Sequence, residues 1–248
     1  MLLKNYFIQL AKNVLIRYPK RFLYFFKFLS EFSSFRKLND RRLSAKWEHI
    51  YPCLKDKVSS TPFDRHYVYH PAWAARKLAE TNPEEHIDIS STLHFCAIAS
   101  AFVPIKFYDY RPADLQLSQM SADSADLTAL FFPSDSINSL SCMHTIEHIG
   151  LGRYGDAIDP QGDLKAIEEL KRVLKPGGNL FFVTPVGHPR IEFNAARTYS
   201  YQQVVDYFAP LSLMEFSLIP DAGPIIEHAE PSEIARQKYG CGLFWFRK

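Results

Sequence analysis

The chain has 248 residues, 47% of them apolar and 23% charged, which excludes global disorder and suits one large domain or a domain with an appendage. All ten glycines lie at position 150 or later, so residues 1–149 hold neither a P-loop nor an intact G-x-G-x-x-G fingerprint. The net charge of +2 splits into +9 over residues 1–46 and −7 over the remainder, and ten aromatics join the eleven Lys/Arg of that basic arm.

In the arm, segments 2–17 and 20–34 carry apolar residues at helical spacing. Leu3, Phe7, Leu10 and Val14 mark one face; Phe22, Phe25/Phe26, Leu29 and Phe32 mark the other, with Pro19 between the two segments. Such a pair suits an interfacial position, with aromatics among lipid headgroups and Lys/Arg on anionic lipid. It equally suits a helical extension packed on the main domain or on a second subunit; the sequence leaves the oligomeric state open. No stacking motif or reading helix points to nucleic acid. Lys4 and Lys12 bracket a short apolar run with no small-residue cleavage site, so a secretory signal is not expected. No uncharged run in the arm approaches the ~20 residues that cross a bilayer. Cys53, Cys96, Cys142 and Cys241 form no C-x-x-C pair and read as thiols in a reducing compartment. A cytoplasmic protein, peripheral on the inner membrane face if the arm meets lipid, is the expectation.

Residues 47–85 read as a helical or loop linker packing on the main domain, with a helix over 71–80 opened by Pro71. From residue 86 the pattern alternates. Strands are expected at 86–90, 104–110, 115–121, 136–144, 179–185, 211–220 and 242–248. Helices are expected at 93–102, 163–174 (stopped by Lys175-Pro176-Gly177-Gly178) and 199–209. Strand–helix alternation predicts βαβ units: an α/β, doubly wound, mostly parallel seven-stranded sheet over 86–248, with an N-terminal helical extension.

Ligands of such sheets bind beyond the carboxyl ends of the strands. Four polar clusters fall at those ends. They are Asp88 with Ser90-Ser91, Asp109, Asp123-Ser124, and the run from His144 to His148. In this order the sequence resembles the class I S-adenosylmethionine-dependent methyltransferases. HIDISS stands in place of the D-x-G-x-G loop, KFYDYRP at the acidic end of the second strand, and ELKRVLKPGGNLFFVTP at the helix and turn before the fifth. EHIGLGRYGDAIDPQGD and RIEFNAARTYS resemble an uncharacterised branch of that superfamily, some of whose members belong with surface-polysaccharide biosynthesis.

The resemblance implies S-adenosylmethionine as cofactor and a small or glycan-like acceptor. It gives Asp109 the ribose hydroxyls and Asp88 the first loop and the methionine end. Asp123 and Ser124 fall to the adenine, although both also suit the N-cap of a helix over 124–129. His144 belongs to the same cofactor side. Ser90 and Ser91 depart from the glycines expected there. A non-glycine in left-handed geometry costs roughly 1–2 kcal/mol, and the hydroxyls either crowd the methionine moiety or donate to it. His148 is the first candidate for catalytic base, with Glu147 orienting it or acting instead. Arg153, Tyr154, Asp156 and Asp159 in the glycine-rich loop, with Asn194 and Arg197 from the next, are candidates to bind the acceptor. Two other classes stand beside this reading. One is a non-catalytic relative that has lost the cofactor and binds a glycan intermediate or partner. The other is a zinc hydrolase, because His144-Thr145-Ile146-Glu147-His148 spells H-x-x-E-H. No spacing of the loop carboxylates specifies a metal.

Overall fold

The structure, a computed structural model, describes residues 21–38 and 42–248. The helix expected over 2–17 lies outside the described residues. The chain divides into two compact units, with the boundary between Pro62 and Phe63. In the first, helix α1 (residues 21–38) exposes Phe22, Leu23, Phe26 and Phe35, while Phe32 meets Trp47 edge to face at 4.7 Å. Among the described residues no helix is long and apolar enough to cross a membrane.

The second unit carries α2 (Arg65–Thr81), β1 (His86–Ile89), α3 (Leu93–Ala99), β2 (Ile105–Asp109), β3 (Met120–Ser124), β4 (Ile137–Met143), α4 (Gly162–Val173) and β5 (Leu174–Val186). After these come a short hairpin, β6 (Arg190–Glu192) and β7 (Ala196–Thr198), then α5 (Tyr201–Phe208), β8 (Ser212–Ile219) and β9 (Gly240–Arg247). Seven strands form one sheet in the order β3-β2-β1-β4-β5-β9-β8. The first five are mutually parallel, and β9 runs antiparallel between β5 and β8. This is the α/β architecture expected.

Each face of the sheet has its own core. Trp73, Leu78, Phe95 and Cys96 of α2 and α3 pack on Phe107, Met143, Phe181 and Leu243. Ile167, Leu170, Val204 and Phe208 of α4 and α5 pack on Ile89, Leu140, Phe182 and Phe244. The alternation of β4 and β5 supplies both layers, as a strand buried on both faces requires, while β1 gives Ile87 and Ile89 to one layer.

Several boundaries differ from the sequence expectation. Helix α2 starts at Arg65, with Pro71 inside it, because Asp64 caps the helix by accepting from the Tyr67 N–H at 3.1 Å. Buried His70 and Trp73 then anchor it across the proline. β3 begins at Met120 and not at Leu115. It pairs with β2 from Ile105↔Met120 to Asp109↔Ser124 and is largely exposed, so as an edge strand it needs no apolar alternation. No helix follows β3; residues 125–136 are turns and loop, which removes the expected cap role of Asp123 and Ser124. Lys175–Gly178 form a bulge within β5, where the register shifts between Ile137↔Leu174 and Ser139↔Asn179.

One polar cluster pins α2 to the sheet. Glu215 on β8, 7% exposed, accepts from Trp73 Nε1 and Ser217 Oγ, both at 2.9 Å, and pairs with Lys77 Nζ at 2.6 Å. Glu215→Ala leaves Trp73 Nε1 and Ser217 Oγ without their acceptor, with only Glu80 remaining for Lys77, and is expected to cost about 3 kcal/mol, read by urea denaturation. A loss within experimental error would show that the cluster does not hold α2.

Candidate functional site

The site begins with the parallel register. β1 and β4 pair Asp88 with Ser141, which places His86, Asp88, Ser139 and Ser141 on one buried face. Ser141 Oγ donates to Asp88 Oδ2, and His86 bridges Ser139 at 2.7 Å and Ser141 at 2.8 Å. Burial lowers the His86 pKa to about 3, so the ring is neutral. Burial raises Asp88 to about 6 despite the opposing hydrogen bonds from Ser141 and Ser91.

Asp88 fixes the loop that follows β1. Its Oδ1 accepts from the Ser91 N–H at 3.0 Å. Ser91 Oγ accepts from the Met143 N–H at 3.0 Å, and Thr145 Oγ1 donates to the Ser90 carbonyl at 2.9 Å. Ser90 takes the left-handed conformation, φ +57°, and its N–H donates to the Tyr108 carbonyl at 2.7 Å. The turn usually given to glycine is therefore made by a serine tied to two neighbouring strands.

Above this loop lies a cavity of about 200 Å³. Ser90, Tyr110, Asp126, Leu127, His148 and Tyr154 are among its walls, with Asp156 and Asp159 at one side. Asp88, Asp109, Asp123 and Ser124 lie outside its lining. Asp109 Oδ1 accepts from the Arg111 N–H at 2.7 Å; Asp123 is exposed and its Oδ1 accepts from the Ser124 N–H at 2.7 Å. The polar wall beyond β3 is instead the turn Asp126–Thr128, where Asp126 Oδ1 accepts from the Thr128 N–H and Oγ1.

The far wall is the loop after β4. Gly150, Gly152 and Gly155 all have positive φ, and a Cβ on Gly150 would lie 2.0 Å from the Asp159 carbonyl oxygen. Asp156 gathers the Gly150, Gly152 and Tyr154 N–H groups at 2.8, 3.3 and 3.2 Å. Burial opposes its ionisation, but these bonds prevail and hold its pKa below the ordinary carboxylate value. Asp159 accepts from Lys165 Nζ at 2.7 Å, which lowers its pKa. Arg197, expected at the acceptor, is buried in β7. It donates to the Ile149 carbonyl at 2.6 Å and pairs with Asp163 at 3.5 Å, so it anchors this loop. Asn194 is exposed at the tip of the β6–β7 hairpin, outside both cavity linings.

A second cavity, about 260 Å³, adjoins the first and shares His148 and Tyr154 with it. Asp64, His66, Tyr67, His144, Glu147, Arg153 and Tyr239 complete its lining. His148 Nδ1 lies 2.6 Å from the Ala195 carbonyl; a carbonyl only accepts, so Nδ1 carries the hydrogen and Nε2 is the basic nitrogen of the neutral ring. Arg153 Nη1 donates to the same carbonyl at 3.0 Å. Glu147, fully buried, meets His144 Nδ1 at 2.8 Å and lies 4.0 Å from His148 Nε2. His144 has φ +55° and its Nε2 lies 3.4 Å from Cys241 Sγ. Burial disfavours its charge, but Cys241 and Glu147 outweigh that and push the His144 pKa up to about 10. Burial also pushes the Cys241 thiol up, against the opposing pull of the neighbouring His144.

Residues 144–148 are thus a strand end followed by a single 3-10 turn, Ile146–His148. The helical i, i+4 face that the H-x-x-E-H reading requires is not formed, which removes the His144/His148 hydrolase.

The sheet order, the antiparallel strand beside β5 and the cavity at the carboxyl ends of the parallel strands decide the architecture. This is the methyltransferase fold. Solved structures agree. A chain from the complex of the Haloferax volcanii Trm112 methyltransferase activator matches with a TM-score of 0.52 at 19% identity, over 74% of this chain and 90% of that one. The Bacillus subtilis YcgJ protein matches at 0.51 and 14% identity, over 73% and 98%. The N-methyltransferase NodS of Bradyrhizobium japonicum, solved with S-adenosyl-L-homocysteine, matches at 0.50 and 15% identity, over 77% and 89%. Residues 116–216 match the family described as Caenorhabditis protein of unknown function, DUF268. No curated protein matches the sequence.

The Asp88 network gives a sign-specific prediction. An unfolded aspartate titrates near about 3.9, and the folded group at about 6. Between these values the folded state keeps a proton that the unfolded state has released. Stability from this group is therefore full below pH 4 and falls as pH rises to 6, by on the order of 2–3 kcal/mol. Asp88→Asn keeps the Ser91 acceptor and is expected to flatten that decline in urea denaturation between pH 4 and 7. An unchanged slope would contradict the assignment.

Proposed function

We propose that the chain is an S-adenosylmethionine-dependent methyltransferase, with the cofactor above the Ser90 loop and a small, sugar-like acceptor in the adjoining cavity. The observation that carries this reading is the pair of cavities sharing His148 and Tyr154 at the carboxyl ends of the parallel strands of a methyltransferase fold.

The residues present fit the cofactor. The Ser90 backbone adopts the left-handed turn that a glycine loop supplies, and its carbonyl and N–H are already satisfied by Thr145 and Tyr108. Ala125 and Leu127 offer an apolar wall, and Asp126 and Tyr110 polar groups beside it. When bound, the cofactor supplies an electrophilic methyl group on a sulfonium.

The chain's own part is alignment, desolvation and proton removal. His148 Nε2 faces the junction as a base for an acceptor hydroxyl, and the Ala195 carbonyl fixes its tautomer. Buried Glu147 holds His144 and stands 4.0 Å from His148 Nε2. Tyr67, Tyr154 and Tyr239 give ring faces of the kind that hold sugar rings, and Arg153 closes one side.

Titration calorimetry with S-adenosylhomocysteine tests the cofactor half. The wild type is expected to bind below millimolar ligand. Asp126→Lys, an exposed change that reverses the charge at the cavity wall, is expected to weaken binding at least about tenfold, or ~1.4 kcal/mol. No binding by the wild type at millimolar ligand would overturn the enzyme reading in favour of a fold relative that has lost the cofactor.

A further inference from the structure

His66, His144 and Cys241 come from three distant parts of the chain. His66 is in the first turn of α2, His144 follows β4, and Cys241 is the second residue of β9. The topology gathers them. β4 and β9 flank β5, the His144 N–H donates to the Val183 carbonyl at 2.9 Å, and Cys241 pairs with Pro185, so both residues reach the same end of the sheet. There α2 lays His66 over His144, with ring centroids 5.2 Å apart and planes 16° from parallel. One nitrogen of each ring and the Cys241 sulfur all lie within 4.8 Å of one another.

We propose that His66, His144 and Cys241 form a binding site for a divalent ion of the zinc class. Two imidazoles and a thiolate make a borderline-soft donor set that suits zinc and disfavours magnesium or calcium. The distances agree with this. A tetrahedral zinc with Zn–S of about 2.3 Å and Zn–N of about 2.0 Å has an S···N edge of roughly 3.5 Å, against 3.4 Å between Cys241 Sγ and His144 Nε2. His66, half-buried and stacked on Tyr239, closes in by the remaining ångström or so by rotation of its side chain.

The surroundings supply what a metal histidine needs. Glu147, fully buried, holds His144 Nδ1 and leaves Nε2 for the ion, the carboxylate–histidine–metal arrangement that fixes ring orientation. Its Oε2 has no hydrogen-bond partner among the described residues. His70, one turn below His66 and fully buried, donates from Nδ1 to the His66 carbonyl at 2.6 Å. Its Nε2 is unpartnered among the described residues, and its ring centroid is 5.1 Å from that of His144. Binding displaces the protons held on Cys241 Sγ and His144 Nε2 to solvent, while His144 Nδ1 keeps its hydrogen toward Glu147. His66 and His144 both line the second cavity, so the fourth position opens toward it. An acceptor hydroxyl or thiol taking that position would be acidified beside His148; this last step alone rests on the methyl-transfer reading.

The test uses full-length protein stripped with chelator, then titrated with zinc or cobalt alone. The expected result is about one zinc per chain by mass spectrometry, and a cobalt complex with tetrahedral visible bands and a thiolate charge-transfer band. Cys241→Ser is expected to abolish the charge-transfer band, and His66→Gln, at a half-buried helix position, to weaken affinity tenfold or more. Circular dichroism on each variant separates lost ligation from lost fold. The proposal is overturned if wild-type protein holds under a tenth of an equivalent, or if a folded Cys241→Ser protein keeps the charge-transfer band. Calorimetry with S-adenosylhomocysteine on the stripped protein reports the cofactor cavity separately, so either reading can fail alone.

Discussion

The carboxylate of Asp88 is the constraint on which the site depends. It is fully buried, it stands opposite Ser141 in the sheet register, and it accepts from the backbone of the loop it precedes. A charge in that position is costly without partners, and the serines of β4 and the loop supply them. The same bonds let a loop without glycine turn where glycine is usual. Ser90 bears a left-handed penalty of roughly 1–2 kcal/mol. The hydrogen bonds that Ser90, Ser91 and Thr145 make to the neighbouring strands contribute about 1 kcal/mol each and offset it.

The loop at the end of β1 positions the end of β4, because Ser91 holds Met143 and Thr145 holds Ser90. β4 then turns sharply at His144, a second non-glycine in left-handed geometry, which sends Glu147 inward and His148 to the junction of the two cavities. Strain of this kind persists only where the surroundings over-determine it. Here the Glu147 carboxylate, the Cys241 sulfur and the stacked rings of His66 and Tyr67 fix His144 from several sides. The glycines absent from the first loop are spent on the facing one, where Gly150 leaves no room for a Cβ and Asp156 gathers the free N–H groups.

The sheet was legible because its buried strands read as apolar runs and α4 as a strongly periodic helix. The loop at Asp88-Ser90-Ser91 and the His144–His148 segment were legible from their order at strand ends. Other features were hidden for identifiable reasons. β3 is an exposed edge strand whose polar sequence looks like a loop, which moved the cavity wall from Asp123-Ser124 to Asp126. A proline usually marks a helix start, yet in α2 the Asp64 cap and the His70 and Trp73 anchors carry the helix through it. Arg197 looks like an anion-binding residue in sequence, but its partners Asp163 and Ile149 lie 34 and 48 positions away. His66 and Cys241 carried no local signal, since their neighbour His144 is 78 and 97 positions away and only the sheet order brings them together.

The central claim is that a glycine-free loop still lays out a cofactor cavity at the end of the parallel strands. Hydrogen–deuterium exchange, with and without saturating S-adenosylhomocysteine, tests it most directly because it reports where a ligand acts on the backbone. Protection is expected in three separate segments, 89–92, 125–128 and 148–157. Unchanged exchange in all three, or protection confined to another part of the chain, would contradict the account.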